Sequence, residues 1–198
     1  MSYSYRIEQA IRAASILHKN QVRKGKTPFP YVTHLYAVAM LVADYTSDED
    51  TIIAALLHDT LEDTDYTSDE LHNDFGATVR QIVESLTEPR PKHGEKQNWH
   101  DSKKQYQKQL KNASNSALIV AAADKIHNMR CIVEEYYNSH SEFLADFGGS
   151  IEDRVLVYQE ISNILNRNLK SEILAEFNHV FSEYKKFIED IERERLQS

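Results

Sequence analysis

The chain has 198 residues, of which 41% are hydrophobic, and this is enough for one globular domain with a substantial core. A formal net charge of −8 argues against loose binding to polymeric nucleic acid or to an anionic membrane, because both need a surplus of Lys and Arg. The single Cys131 cannot form an internal disulfide, and the longest apolar run, residues 117–123, is far shorter than the roughly 20 residues that span a bilayer. We therefore expect one domain over residues 1–198, located in the cytoplasm.

The spacing of apolar residues predicts a bundle of helices. Five Gly and four Pro fall in a few clusters, and the long stretches between the clusters lack strand alternation. Two early stripes have helical spacing: Ile7, Ile11, Ala14 and Leu17, then Leu35, Val38, Leu41 or Val42, and Tyr45. The predicted fold class is all-α, a single-domain helical bundle.

Several boundaries can be read from the same pattern. Ser47 and Thr67 each stand three residues before an acidic residue, as in a capping box, so helices should start after both. Residues 89–99 combine Pro, Gly and charges, which predicts an exposed connection that either lies over a binding site or is a plain surface loop. A last amphipathic helix over about residues 171–196 is expected to complete the core in preference to forming a dimer interface.

Four polar residues in apolar helical context form the candidate metal site. His34 lies near the start of one apolar helix, His58 and Asp59 near the end of the next, and Asp124 follows the run ALIVAAA. A buried carboxylate costs several kcal/mol unless it is paired or bound to metal. Lys125 is adjacent to Asp124, but neighbours in a helix point about 100° apart and are not expected to face each other. Two imidazoles and two carboxylates suit a divalent cation with positions left for water.

Glu62 and Asp63 are the candidate catalytic residues. If the helix continues through Leu61, then His58, Asp59 and Glu62 share one edge of its last turn. Carboxylates in this position can orient a water or carry its proton. The alternative is a solvated helix end.

Four segments, YVTHLYAVA, AALLHDTLEDT, FGATVRQIVESLT and AAADKIHNMR, occur in this order between about residues 5 and 165. Together they resemble the HD superfamily of metal-dependent phosphohydrolases, and more narrowly the hydrolase domain of the Rel/SpoT enzymes and the stand-alone small alarmone hydrolases. The resemblance implies removal of the 3′-pyrophosphate from guanosine tetra- or pentaphosphate. It implies His34, His58, Asp59 and Asp124 as metal ligands, and Glu62 and Asp63 as the catalytic pair. It also implies Mn²⁺, with Fe²⁺, Co²⁺, Ni²⁺, Zn²⁺ and Mg²⁺ as alternatives.

The substrate-binding candidates are mostly cations near these segments. Arg23, Lys24 and Lys26 form one compact basic cluster upstream of His34, where the resembled family has basic residues near the phosphates. Arg can bind a phosphate with two parallel hydrogen bonds and Lys as a point charge. Lys125 is a further candidate, Arg130 a possible addition, and Asn128 matches a nucleotide-contacting residue of the family. The alternative for the cluster is a solvated basic loop.

Two other histidines have weaker signals. His18 is as well explained by the core as by a functional role, and His127 is interpreted as a core histidine.

Two departures from the resembled family leave the substrate open. Gly25 stands where those enzymes usually have Ser, and Cys131 where they commonly have Thr. The first hypothesis is therefore alarmone hydrolysis, with no room in 198 residues for a synthetase domain. The second is an HD-type nucleotide or phosphomonoester hydrolase of other specificity. The third is a non-enzymatic HD sensor domain.

Overall fold

The protein is mostly helical in the part that its computed structural model describes, residues 3–88, 99–147 and 151–197. These residues contain no β-strand, and an isolated antiparallel bridge joins Val22 to Pro30. The helices are α1 Tyr5–Leu17, α2 Val32–Tyr45, α3 Glu49–Leu57, α4 Thr60–Asp63, α5 Ser68–Phe75, α6 Ala77–Leu86, α7 Trp99–Lys111, α8 Asn115–Tyr136, α9 His140–Asp146, α10 Ile151–Asn168 and α11 Ile173–Gln197. The predicted all-α class is confirmed. None of the described helices is both long and apolar enough to cross a membrane.

Polar residues cap the first turns of α3 and α5 at or near the predicted positions. Thr67 and Glu70 form the predicted capping box at the start of α5. The predicted cap at Ser47 is wrong by one residue, because the carboxylate of Asp48 accepts the backbone N–H of Thr51 and begins α3. A carboxylate at this position satisfies an orphan amide and adds a favourable charge at the positive end of the helix.

The core lies around α3 and α8, which are buried on nearly all sides. Residues 51–57 of α3 are all buried, as are residues 117–124 of α8. The C-terminal helix α11 packs along α8 and buries Phe177, Phe181 and Tyr184. It thus completes the core as predicted, although it begins at Ile173, two residues after the predicted start.

The segment between α1 and α2 crosses the C-terminal half of α8. Its two arms are joined by backbone hydrogen bonds from Arg23 N to Phe29 O and from Tyr31 N to Gln21 O, both 2.8 Å. A Cβ added at Gly25 would lie 2.4 Å from Oε2 of Glu135 on α8. A side chain at position 25 would therefore require the carboxylate of Glu135 to move. The predicted connection 89–99 lies outside the described residues except for Trp99, which begins α7.

Candidate metal centre and its adjoining cavities

The four predicted metal ligands converge on one cavity of about 120 Å³. His34 comes from α2, His58 directly follows α3, Asp59 precedes α4, and Asp124 lies on α8. Nε2 of His34 is 3.2 Å from Oδ1 of Asp124 and 3.7 Å from Oδ2 of Asp59. Nε2 of His58 is 3.2 Å from Oδ2 of Asp59 and 3.8 Å from Oδ1 of Asp124. Two imidazole nitrogens thus face two carboxylates across a space of a few ångströms.

The chain breaks its helix where these ligands meet. The condition that one helix continues through Leu61 is not met, because α3 ends at Leu57 and the short α4 starts at Thr60. The hydroxyl of Thr60 donates to the carbonyl of Leu57 at 2.6 Å and so satisfies one acceptor at the end of α3. His58, Asp59 and Glu62 still line the same cavity. The break changes the path of the backbone without separating the three side chains.

His58 provides the test of whether a cation fits. Its Nδ1–H donates to the carbonyl of Ala55 at 2.8 Å, so the neutral ring has a bare Nε2. This Nε2 is buried, and no described residue forms a hydrogen bond with it. Burial lowers the pKa of His58, but the charges of Asp59 and Asp124 outweigh it and raise the pKa to about 9. The site therefore favours a positive charge at this nitrogen, either a proton or a cation. His34, His58 and Asp59 have ligand atoms within 4.8 Å of one another and could hold such an ion.

Asp124 is more strongly partnered than the sequence suggested. Its Oδ1 accepts from Nδ2 of Asn128 at 2.5 Å, and its Oδ2 accepts from Nζ of Lys125 at 2.6 Å. The expectation that Lys125 would not face Asp124 is wrong, because the four-carbon stem of a lysine can bend back to its own neighbour. Burial raises the pKa of Asp124, but Lys125 and the imidazoles of His34 and His58 hold it well below its usual range. The carboxylate is therefore ionised and available at neutral pH.

Tyr31, the N-cap residue of α2, forms a hydrogen bond with Asp59. Its hydroxyl donates to Oδ2 of Asp59 at 2.6 Å, and its ring stacks on His18 with centroids 5.3 Å apart. Burial and the charge of Asp59 raise the pKa of Tyr31, so the phenol remains a donor. Tyr31 was not selected from the sequence, although its position three residues before the candidate ligand His34 was a usable signal.

The two catalytic candidates have different surroundings. Glu62 lines the cavity, and its Oε2 accepts the backbone N–H of Glu88 at 3.1 Å. Burial raises the pKa of Glu62 to about 7, and nearby carboxylates add to the rise. Asp63 instead accepts from Nε2 of Gln21 at 2.8 Å and does not line the cavity. Oε1 of Gln21 in turn accepts from Nδ1 of His18 at 2.6 Å.

Two further cavities adjoin the first one. A cavity of about 120 Å³ between α7 and α10 shares Tyr106 and Lys125 with it. A larger cavity of about 360 Å³ beside the segment 18–31 shares Tyr31 and Asn128 with it. The second and third cavities meet at two residues of α10 that were not selected as functional from the sequence, Arg154 and Tyr158. Lys103 and Trp99 of the second cavity were missed as well.

The third cavity carries a concentration of positive charge. The guanidinium of Arg23 donates to Oδ1 of Asn128 at 2.6 Å and lies 5.5 Å from the centre of the Tyr31 ring. Lys24 and Arg154 lie over the ring of Phe147, at 5.3 and 5.2 Å. Arg23, Lys24 and Arg154 form no salt bridge with any acidic residue in the described ranges. Their charges are therefore available to an anion.

Lys26 and Arg130 are engaged elsewhere. Nζ of Lys26 donates to Oγ of Ser139 at 2.7 Å and pairs with Glu142 at 2.8 Å, at the corner between α8 and α9. Arg130 pairs with Glu176 of α11 at 2.6 Å. Neither residue lines the three cavities. Sequence proximity to the site did not predict the direction of these side chains.

Comparisons with known proteins give a family model and several relatives. The family model described as HD domain matches residues 10–146. A Streptomyces coelicolor protein named GTP pyrophosphokinase is 37% identical over 125 residues, which are 63% of this chain and only 14% of that protein. A zebrafish (Danio rerio) protein named guanosine-3′,5′-bis(diphosphate) 3′-pyrophosphohydrolase MESH1 is 32% identical over 158 residues, covering 72% of this chain and 84% of that protein.

Solved structures share the same fold. One is described as a metazoan ortholog of SpoT that hydrolyzes ppGpp, and it matches 92% of this chain and 97% of its own with a TM-score of 0.76 and 23% identity. Another, lmo0812 from Listeria monocytogenes, matches 77% of this chain and 99% of its own with a TM-score of 0.68 and 22% identity. At these identities the likeness establishes the helical architecture alone.

Proposed function

The chain belongs to the HD domain family, and we propose that it is a metal-dependent phosphohydrolase that removes the 3′-pyrophosphate from guanosine tetra- or pentaphosphate. The observation that carries the proposal is the convergence of His34, His58, Asp59 and Asp124 on a cavity that adjoins cations without an acidic partner among the described residues. The choice of substrate is supported by the name of the zebrafish relative, of which the chain covers most.

We propose that Nε2 of His34, Nε2 of His58 and the carboxylates of Asp59 and Asp124 hold one divalent cation. Mn²⁺ is the proposed ion because the resemblance to the alarmone hydrolases implies it, and Fe²⁺, Co²⁺, Ni²⁺, Zn²⁺ and Mg²⁺ are the alternatives that mixed imidazole and carboxylate donors also accept. When bound, such an ion polarises a phosphoryl oxygen and lowers the pKa of a bound water toward ~7.

Glu62 is the proposed acid–base residue. Its side chain faces the cavity and has a pKa of about 7, raised by burial, so it can both accept and release a proton near neutral pH. Asp63 is proposed as a positioning residue, because it holds Gln21 and through Gln21 the ring of His18. This contact ties α4 to the segment that carries Arg23.

Arg23, Lys24 and Arg154 are the proposed phosphate-binding cations. A guanosine tetraphosphate carries several negative charges and must approach a protein with a formal charge of −8, so the attraction has to be local. Asn128 connects the first cavity to the third, since its side chain donates to Asp124 and accepts from Arg23. Lys125 neutralises Asp124 and also lines the cavity wall, where it can meet a phosphate.

A substrate panel tests this function. Metal-stripped protein is reconstituted with Mn²⁺ and assayed against guanosine tetraphosphate, GTP, ATP and p-nitrophenyl phosphate, with the metal-stripped protein as control. We expect metal-dependent turnover with the highest kcat/KM for guanosine tetraphosphate. Turnover of another nucleotide or of the phosphomonoester alone would favour the broader HD phosphohydrolase. Stoichiometric metal without turnover of any compound would favour a sensor domain.

We also propose that residues 1–198 form one domain that acts in the cytoplasm. The packing of α11 along α8 supports a single unit, because α8 also carries Asp124. Limited proteolysis should then leave α11 attached to the rest of the chain, and early release of α11 would contradict the single domain.

A further inference from the structure

One ligand histidine is joined to a second histidine that the proposed mechanism does not use. Nδ1 of His34 lies 2.9 Å from Nδ1 of His127, and the two ring centroids are 4.8 Å apart. His127 is half-buried on α8, one turn after Asp124. Two imidazole nitrogens this close require that one carries a hydrogen and the other a lone pair.

The opposite nitrogen of His34 decides the direction of this hydrogen bond. Nε2 of His34 is 3.2 Å from Oδ1 of Asp124, within reach of a charge-assisted hydrogen bond. A neutral imidazole has one N–H only. If Nε2 carries it and donates to Asp124, Nδ1 of His34 must accept from His127. If Nε2 binds a cation, the hydrogen is on Nδ1 of His34, which must donate to His127.

We propose that His127 is a positioning residue whose tautomer reverses with that of His34 when the metal site is filled. In the metal-free protein His127 donates from Nδ1, and its Nε2 is bare. In the metal-loaded protein His127 accepts at Nδ1, and its hydrogen is on Nε2. Each ring remains neutral in both states, so the pair neither gains nor releases a proton.

The other ligand histidine lacks this freedom. Nδ1 of His58 faces the carbonyl of Ala55, which can only accept, so the hydrogen on Nδ1 is fixed whether or not a metal is bound. Partners of this kind orient a ligand ring and tune its basicity, and their loss typically weakens metal binding about 10–100-fold. A histidine partner gives His34 a satisfied hydrogen bond in both states.

A matched pair of variants tests the proposal. His127→Asn keeps an amide that can accept through Oδ1 or donate through Nδ2, whereas His127→Leu has the same branching without a polar atom. The dissociation constant for Zn²⁺ is measured by competition with a chromophoric chelator, and thermal melts of the metal-free proteins check folding. We expect His127→Leu to raise the dissociation constant about 10–100-fold and His127→Asn to remain close to wild type. Equal losses in both variants, or no loss in either, would overturn the role of the hydrogen bond.

A second readout follows the hydrogens directly. Imidazole ¹⁵N spectra of the wild type are recorded without metal and with Zn²⁺, which is diamagnetic. We expect the hydrogen of His34 to move from Nε2 to Nδ1 and that of His127 from Nδ1 to Nε2, while His58 retains its Nδ1–H. Unchanged tautomers at His34 and His127 would refute the proposal even if His127→Leu failed to fold.

The inference rests on the proposed ligand set and is independent of the substrate. If the wild type does not hydrolyse guanosine tetraphosphate, the metal affinities and the ¹⁵N spectra still test the proposed reversal of tautomers at His34 and His127. If the wild type binds no metal, both the ligand set and this inference fail together.

Discussion

The first and third cavities form the two ends of one cleft, and the two ends are built from different parts of the fold. The metal end, which is the first cavity, is lined by side chains from α2, α4, α8 and the break between α3 and α4, and His34, His58 and Asp124 are each at most 8% exposed. The cation end uses the segment 18–31 and α10, where Arg23 and Arg154 are held by aromatic rings and single polar contacts. The first end is therefore fixed by the core, and the second by a surface segment.

This difference separates two tasks. A buried cluster with directed hydrogen bonds can keep a cation and a proton acceptor in place, as chemistry requires. Cationic side chains without acidic partners can reorient to pair with an anionic ligand and so determine its affinity. Substitutions at the metal end should accordingly abolish turnover, and those at the cation end should mainly change KM.

The largest effect is expected for Asp124→Asn. The change keeps the shape of the side chain but removes the charge that faces His34 and His58. We expect loss of bound metal and a fall in turnover of about 10³-fold or more, since Lewis-acid stabilisation is worth several kcal/mol. Elemental analysis checks metal content, and Asp146→Asn, a substitution on α9, is the control. Stoichiometric metal in the Asp124→Asn protein would show that the ligand assignment is wrong.

Glu62→Gln should separate chemistry from metal binding. The amide can still accept from the N–H of Glu88, but it cannot exchange a proton. We expect kcat to fall by ~10² or more with metal and KM nearly unchanged, the usual size of an acid–base contribution. Asp63→Asn, outside the cavity, should have a smaller effect. If Glu62→Gln loses its metal, Glu62 is a ligand instead.

Arg23→Ala compared with Lys26→Ala tests the cation end. Arg23 lines the third cavity, whereas Lys26 is paired with Glu142, although both belong to one basic cluster in the sequence. We expect Arg23→Ala to raise KM for guanosine tetraphosphate about 10–100-fold, corresponding to ~1.5–3 kcal/mol for a charge-assisted hydrogen bond. Lys26→Ala should leave KM nearly unchanged. Equal effects of the two variants would contradict the separation of Arg23 from Lys26.

The smallest expected effect is a pH-dependent difference in stability at Glu62. Because burial raises the folded-state pKa of Glu62 to about 7, the folded protein binds its proton more tightly than the unfolded chain does. The protonated Glu62 therefore contributes stability that is fully present below the unfolded pKa of about 4.5 and is lost as the pH rises through 7. The free energy of unfolding of the metal-free protein is measured with urea at pH 5 and at pH 8. Its decrease from pH 5 to pH 8 should be larger for wild type than for Glu62→Gln. Parallel losses would mean that Glu62 does not titrate in this range.

The metal end could be predicted from the sequence because its signal is local. A carboxylate that follows a run of apolar residues carries a desolvation cost if it is buried, and this consideration singles out Asp59 and Asp124 in the sequence. The same reasoning failed for Lys125, because side-chain flexibility let it reach Asp124 in spite of the helical angle. The helix break after Leu57 was missed since it depends on hydrogen bonds from His58 and Thr60 to the preceding turn.

The cation end was predicted only in part because it is assembled by tertiary contacts. Arg154 and Tyr158 were not selected as functional from the sequence, yet both line the cavities. Lys26 was chosen by its nearness to Arg23, but the segment turns its side chain toward Glu142. Sequence distance identifies a charge cluster, whereas only the packing of α8, α9 and α10 determines which charges face the cleft.

The most direct test of the proposed 3′-pyrophosphohydrolase activity is the identity of the products formed from guanosine tetraphosphate. Mn²⁺-loaded protein is incubated with the nucleotide, and products are separated by anion-exchange chromatography and identified by ³¹P NMR. We expect guanosine 5′-diphosphate and intact pyrophosphate in equal amounts, with none formed by the metal-stripped protein. Release of orthophosphate in place of pyrophosphate, or turnover that continues without metal, would contradict it.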